Sequence, residues 1–256
     1  MTTGGSFMQN QQPSTLKEIR VHGTQDFPCA FYQTGTRIKG NMVKHHWHEE
    51  VELLYFSGGE FCLEVNMERF NISEECFYVI NPGELHSISV EKNGGCVENA
   101  VVFHMDMLSS AYALDQIQTN LIQPVQNGSI QFPRCLRKNE PAFEPVRKSY
   151  EEIRNVFGGD SFRENYYDGE AVTDDITRQL FIKSTLLRIL AVLSANNLFE
   201  VTEKNHDHRI ETIKTTLTYI QENYKEKIYI RDLAGLIGMN EQYFCRFFKK
   251  VIGRSP

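Results

Sequence analysis

Gly40-Asn-Met-Val-Lys-His-His-Trp-His-Glu-Glu-Val-Glu-Leu-Leu-Tyr-Phe-Ser-Gly-Gly59 is the stretch on which the fold turns. It packs three histidines and three glutamates against a short apolar run that ends in paired glycines. In an extended strand, side chains two apart point to one face. His46 and His48 therefore point together, and Glu50 and Glu52 share their phase if the strand is unbroken. His45 and Trp47 fall on the opposite face. Downstream, Asn81-Pro82-Gly83-Glu84-Leu85-His86 follows another apolar run and offers a further imidazole. Three imidazoles and a carboxylate converging inside a barrel can hold Zn, Fe, Ni or Mn. Equally, such histidines can wall a pocket and donate hydrogen bonds to a small organic ligand. Tyr32, Glu50 and Glu84 would suit a polyhydroxylated one. His104, at a strand end, reads as a core or rim residue, and His206 and His208 as solvated linker residues.

Outward from this stretch, residues 19–103 read as β. Short apolar runs (Ala30–Tyr32, Val51–Phe56, Phe61–Met67, Cys76–Ile80, Val97–Phe103) alternate with turn signals at Gly58-Gly59, Asn81-Pro82-Gly83 and Asn93-Gly94-Gly95. Many short strands at regular spacing predict a sandwich or small barrel. After Phe103 the periodicity becomes helical, with helices expected over Met105–Ile122, Pro141–Phe157 and Thr173–Asn196. The last carries an apolar arc wider than one core face needs, which predicts packing on two sides, as in a pair across a two-fold axis. Residues 1–15 are polar and read as a disordered tail, and 200–208 as an interdomain linker.

The C-terminal stretch Tyr229–Pro256 reads as two short helices about Gly238. Asn240 is a good N-cap. Phe244, Phe247, Phe248 and Val251 fall at i, i+3, i+4 and i+7, one face of the second helix. The other face carries Glu241, Gln242, Cys245, Arg246 and Lys249. This is the layout of a helix-turn-helix that reads DNA, and also that of an ordinary helical hairpin. Amide and guanidinium groups at Gln242 and Arg246 suit base edges, while Lys249 and Arg231 are placed for phosphates.

The chain has 256 residues and a net charge of −6. From Arg209 onward nine Lys/Arg face five Asp/Glu, a net of +4, so the remainder carries −10. A basic segment on an acidic body fits a module that meets phosphate. No apolar run approaches the ~20 residues that span a bilayer, so no membrane partner is expected. There is no secretory signal pattern, and the six scattered cysteines read as reduced thiols. A cytoplasmic protein is expected.

The histidine stretch resembles the first cupin motif, Gly-x5-His-x-His-x3-Glu-x6-Gly, with Gly40, His46, His48, Glu52 and Gly59 matching in full. The second motif, Pro-x-Gly-x2-His-x3-Asn, is matched by Gly83 and His86, whereas Asn81 stands in place of Pro and Val90 in place of Asn. The resemblance implies a jelly-roll barrel, with His46, His48, Glu52 and His86 as the ligands where a divalent metal is bound. The C-terminal stretch resembles the AraC/XylS family of transcriptional regulators in Leu233-Ala234, Ile237-Gly238-Met239, Phe244, Arg246–Lys250, Gly253 and Pro256. Its members carry two helix-turn-helix units, and the sequence ends at Pro256, where the linking helix is expected.

The expected architecture is α+β. A cupin-like sensing barrel covers 16–105, a helical dimerisation and coupling region 106–199, and the first half of a DNA-binding domain 209–256. The expected function is a homodimeric regulator that binds double-stranded operator DNA in response to a small-molecule effector, a sugar or related metabolite. The alternative is a metal-dependent cupin enzyme using His46, His48, Glu52 and His86, which leaves the Phe244–Lys250 pattern unexplained.

Overall fold

The computed structural model describes residues 16–36, 39–92, 96–112, 114–158, 170–171, 175–202, 208–252 and 255–256. The expected tail at 1–15 and most of the expected linker lie outside them. The chain divides into a large unit, Glu18–His206, and a small one containing 207–256.

The large unit is built on two antiparallel sheets. One contains β1 (Cys29–Thr36), β3 (Val51–Phe56), β6 (Cys76–Ile80), β8 (Cys96–Phe103), β10 (Cys135–Arg137) and β11 (Glu170–Ala171), in the order β10-β6-β3-β8-β1-β11. The other contains β2 (Gly40–His46), β4 (Phe61–Val65), β5 (Glu68–Ile72) and β7 (His86–Val90), in the order β2-β7-β4-β5. Between them lies an apolar core that includes Leu54, Phe56, Phe61, Leu63, Ile80, Ile88 and Val102. The outer face of the larger sheet is also covered. Leu53, Phe77, Val79, Val101 and Phe103 pack there with residues of α2 (Phe143–Val156) and α3 (Ile176–Ala195). Burial on both faces explains why Cys76–Ile80 is apolar at every position and buried at every position.

Several boundaries differ from the sequence expectation. β2, β5 and β7 are polar on their outer faces and carry no continuous apolar run. The Phe61–Met67 run ends early, because Asn66 and Met67 take positive φ (49° and 72°) to turn the chain into β5. The expected helix over Met105–Ile122 is two pieces. A 3-10 turn, Met105–Leu108, is capped by His104, whose Nδ1 accepts from the Asp106 N–H at 3.2 Å. A helical run, Gln118–Ile122 continuing into α1 (Gln123–Gln126), follows Ser109–Ser110. β10 and β11 join the larger sheet from beyond residue 105, so the expected barrel boundary does not close the sheet. A short pair, β9 (Ile130–Gln131) and β12 (Glu200–Val201), completes the unit's described strands.

α3 is N-capped by Asp175, whose carboxylate accepts from the N–H of Thr177 and Arg178. Its inner face buries Ile182, Leu186, Ile189, Leu190 and Leu193. Leu180 and Phe181, 62% and 61% exposed, point outward with Ile176. No described helix is long and apolar enough to cross a membrane.

The small unit holds α4 (His208–Asn223), α5 (Ile230–Leu236) and α6 (Glu241–Ile252). α5 starts where the Tyr229 N–H donates to the Asp232 carboxylate at 3.0 Å. It ends with Gly238 at φ +66°, the Gly238 N–H donating to the Gly235 carbonyl and the Met239 N–H to that of Ala234. This paired closure satisfies the last carbonyls of the helix and requires the left-handed residue. Asn240 caps α6, its Oδ1 accepting from the Tyr243 N–H at 2.8 Å. Ile213 and Leu217 of α4, Leu233 and Ala234 of α5, and Phe244, Phe247 and Phe248 of α6 are among its buried residues.

Candidate functional site

β2 and β7 pair with His46 directly opposite His86, and the ring centroids lie 4.2 Å apart. β2 ends at His46, so unbroken strand alternation is not what aligns His46 with His48. His48 sits in the connection to β3, where the Gly83 N–H donates to its carbonyl at 2.7 Å. Its ring lies 5.6 Å from that of His46 and 5.1 Å from that of His86. β3 then presents Glu52 on the same face as Leu54 and Phe56, toward the space between the sheets. Glu52 Oε2 is 3.0 Å from His86 Nε2 and 3.4 Å from His48 Nε2. The four residues of the cupin-like pattern thus converge.

The imidazoles share one device. His46 Nδ1 is 2.8 Å from the Lys44 carbonyl, His48 Nδ1 3.1 Å from that of Glu50, and His86 Nδ1 2.9 Å from that of Glu84. A carbonyl only accepts, so each Nδ1 carries the proton and donates, which leaves each Nε2 with its lone pair when the ring is neutral. One nitrogen from each ring lies within 4.8 Å of the others. His86 Nε2 and Glu52 Oε2 are buried, and their 3.0 Å approach is not a well-directed hydrogen bond. Lone pairs facing a carboxylate need a cation between them, whether protons or a metal ion. Nδ1–H held by a backbone carbonyl is also how metal-ligating histidines are fixed. The residues therefore fit a divalent transition metal.

Charge follows the same logic. Burial raises the Glu52 carboxyl, but His48 and His86 together outweigh it and hold the carboxyl well below its usual range. Burial opposes charge on His48, and Glu52 overrides it, raising that pKa. His46 is pushed down to about 4, first by burial and then by the neighbouring His86.

An outer ring of partners surrounds the cluster, and motif spacing does not point to it. Glu18 Oε2 lies 3.3 Å from His46 Nε2 and 3.4 Å from His22 Nε2. His22 Nδ1 is 2.7 Å from the Tyr32 hydroxyl, and its ring is 5.3 Å from that of His48. The segment bearing Glu18 and His22 has no periodicity that would aim it at the pocket. The only sequence signal is a Glu and a His four residues apart. Tyr32 therefore reaches the cluster through His22. Glu50 Oε2 stands 3.6 Å from His48 Nδ1, at the margin. His45 faces away, with Nε2 3.3 Å from Glu64 Oε1.

Glu84, a sequence candidate for ligand contact, is already engaged. Its carboxylate accepts from Arg134, from Asn66 Nδ2 at 3.2 Å and from the Asn81 N–H at 2.7 Å. This accounts for Asn81 in place of proline. Its N–H is needed by Glu84, and its Oδ1 accepts from the Phe132 N–H at 2.8 Å. Val90, in place of Asn, is buried in the inter-sheet core.

In the small unit, Glu241, Gln242, Arg246 and Lys249 of α6 are exposed, Cys245 is half-buried, and Arg231 at the start of α5 is exposed. Asn240 is committed to its cap. The first five share the face of α6 opposite the buried phenylalanines.

Residues 34–154 match the AraC-like ligand binding domain family. The uncharacterized HTH-type transcriptional regulator YdeC of Bacillus subtilis is 25% identical over 249 residues, covering 94% of this chain and 77% of that one. Among solved structures, ToxT from Vibrio cholerae overlaps with a TM-score of 0.38 at 10% identity, over 90% of this chain and 77% of that chain. A predicted oxalate decarboxylase from Thermotoga maritima overlaps with a TM-score of 0.27 at 24% identity, over 29% and 64%.

Proposed function

We propose, from the match of residues 34–154 to the AraC-like ligand binding domain family and the likeness of the chain to an HTH-type transcriptional regulator, that it is an AraC-type, sequence-specific DNA-binding protein switched by a small oxygen-rich effector. It is a transcriptional regulator rather than an enzyme. The observation that carries the sensing half is the cluster of three Nδ1-anchored imidazoles, His46, His48 and His86, with the Glu52 carboxylate against the Nε2 atoms of His48 and His86. A divalent transition metal held by these four residues would supply Lewis-acid binding of effector oxygens. Glu18, His22 and Tyr32 stand beside it to accept and donate hydrogen bonds, which suits a sugar or related polyhydroxylated metabolite.

The reading half is α6. Gln242 and Arg246 are assigned to base edges, Glu241 and Cys245 to the same face, and Lys249 and Arg231 to phosphates, with Asn240 holding the helix start toward the backbone. The outward face of α3, with Leu180 and Phe181, is assigned to a second copy of the chain. An effector that binds one packing of the sensing unit better than another shifts the regulator toward it. The protein works in the cytoplasm in this reading.

Two measurements test it on the full gene product. Metal analysis and calorimetry should give about one transition-metal ion per chain, lost on replacing His86 with alanine, and sugar binding that depends on the ion. Binding to the DNA upstream of its own gene should weaken linearly in log salt. Arg246→Ala should cost about 1–3 kcal/mol and relax specificity, whereas Lys249→Ala should lower the salt slope by about 1 without altering specificity. DNA binding that ignores sequence, or a barrel that takes neither metal nor polyol, overturns the proposal.

A further inference from the structure

A second reactive cluster lies on the edge of the larger sheet, away from the histidines and independent of the proposed function. β10 pairs with β6 so that Cys135 stands opposite Tyr78 and Arg137 opposite Cys76. Opposed residues, and residues two apart on one strand, share a face. Cys76, Tyr78, Cys135 and Arg137 are therefore on one side of the sheet. Cys76 and Tyr78 are part of the inter-sheet core, and Cys135 packs against it. The thiols of Cys76 and Cys135 are free and lie diagonally across the β6–β10 pair on one face. Their exposures differ. Cys76 is buried, while Cys135 is half-buried on an edge strand of three residues. An oxidant from solvent meets Cys135 first, with Cys76 diagonal to it on the same face.

We infer that Cys76 and Cys135 are a hydroperoxide-sensitive dithiol, with Cys135 the attacking sulfur and Cys76 the resolving one. In the first step the Cys135 thiolate attacks one oxygen of the hydroperoxide. An S–O bond forms, the O–O bond breaks, and the departing oxygen takes a proton to leave as water or alcohol. In the second step the Cys76 sulfur attacks the Cys135 sulfenic acid. The S–S bond forms, the S–O bond breaks, and hydroxide leaves as water with the Cys76 proton. Two thiols lose two electrons in all, and the peroxide gains them.

The surroundings favour that division of labour. The Cys76 thiol, the Tyr78 hydroxyl and Arg137 all stabilise negative charge on Cys135, lowering its pKa against the opposing effect of burial. The Cys76 thiol is pushed up, first by the neighbouring Cys135 and then by burial. Diagonal neighbours across antiparallel strands stand about 7–8 Å apart at Cα, slightly beyond the usual reach of a disulfide. Closure must draw the short edge strand inward, and a bridge made under such strain is readily reduced. The modification is therefore reversible.

The test uses the reduced full chain treated with hydrogen peroxide, then acid-quenched, digested and mapped without reduction. The expected product is a peptide pair joining Cys76 to Cys135, lost on adding dithiothreitol. In Cys76→Ala, dimedone should trap a sulfenic acid at Cys135. In Cys135→Ala, Cys76 should remain unlabelled. Should either variant fold poorly, the pH dependence of iodoacetamide labelling in the unaltered protein decides, with a midpoint for Cys135 below the ~8.5 of a free thiol. Dimedone on Cys76 in place of Cys135, pairing with other cysteines, or an unshifted labelling midpoint overturns the inference.

Discussion

At the scale of single residues, His46 sets how the sensing unit answers to acid. Its folded pKa is about 4, below the ~6.5 of an unfolded histidine. Between those values the unfolded chain binds a proton that the folded site refuses, so stability falls as pH drops from about 6.5 to 4. The bound is one proton over that window, roughly 3 kcal/mol. Glu52 acts in the same direction lower down, since its depressed pKa gives stability that is present above the unfolded carboxylate value and lost as pH falls through the folded one. His48 acts oppositely. Its raised pKa gives stability present below ~6.5 and lost as pH rises through its folded value. Thermal melts of metal-free protein should therefore peak near neutrality, and His46→Gln should flatten the acid limb. An acid limb unchanged in His46→Gln removes His46 from the explanation. At this scale the pattern around Gly40–Gly59 and His86 is informative, because motif spacing names residue types that must meet. The approach of Glu18 to His46 and the engagement of Glu84 by Arg134 are not legible. They depend on contacts between segments 28 and 50 residues apart that share no periodicity.

At the scale of elements, the ends of α5 and α6 are specified locally. Gly238 occupies a left-handed position with nothing within 4 Å of where a Cβ would stand. Gly238→Ala meets no clash and should cost only the backbone strain, about 1–2 kcal/mol. Phe244 is fully buried and packs at a tilt on Phe248 with centroids 5.6 Å apart. Phe244→Ala should cost about 3–5 kcal/mol, enough to melt the small unit while the large one persists. Far-UV circular dichroism would then show two separated transitions, and a single cooperative loss would contradict this. The turn at Gly238, the Asn240 cap, α2 and α3 are all legible in the sequence, since their chemistry is settled within a few residues or a few helical turns. The 105–122 stretch reads as one helix because its apolar residues follow a helical period, while Ser109-Ser110 interrupts it. The strands β2, β5 and β7 of the smaller sheet escape notice because only one side of each faces apolar neighbours.

For the whole molecule, the outward apolar face of α3 is the feature with the largest consequence for assembly. Leu180 and Phe181 are more than half exposed, and Leu187 is 38% exposed on the same helix. Helix faces of this kind are covered in stable proteins. Paired replacement of Leu180 and Phe181 by glutamate should convert a dimer to a monomer in sedimentation velocity without lowering the melting temperature of the large unit. A sedimentation coefficient unchanged by the replacements would place any dimer contact elsewhere. The α+β layout, with strands first and helices after, is evident from the shift in period near Phe103. That β10 and β11 return to the larger sheet is not, since strands of two or three residues leave no periodic trace.

The Glu84–Arg134 pair bears on heredity as well as on stability. Glu84 lends its carbonyl to the Nδ1–H of His86 and its carboxylate to Arg134. Arg134 stands just before β10 and also donates to the Val79 carbonyl. Glu84 thus links the His86 ring to the residue that precedes β10. Arg134→Ala would leave the buried Glu84 carboxylate its two amide donors but no countercharge, at about 3–5 kcal/mol. The conservative Arg134→Lys keeps the charge and gives up the forked contact. In a reporter screen, Arg134→Lys should emerge among alleles that are deaf to the effector although they still bind it and still bind DNA. If such alleles map only to the histidines and to α6, the Glu84–Arg134 pair has no part in the proposed response.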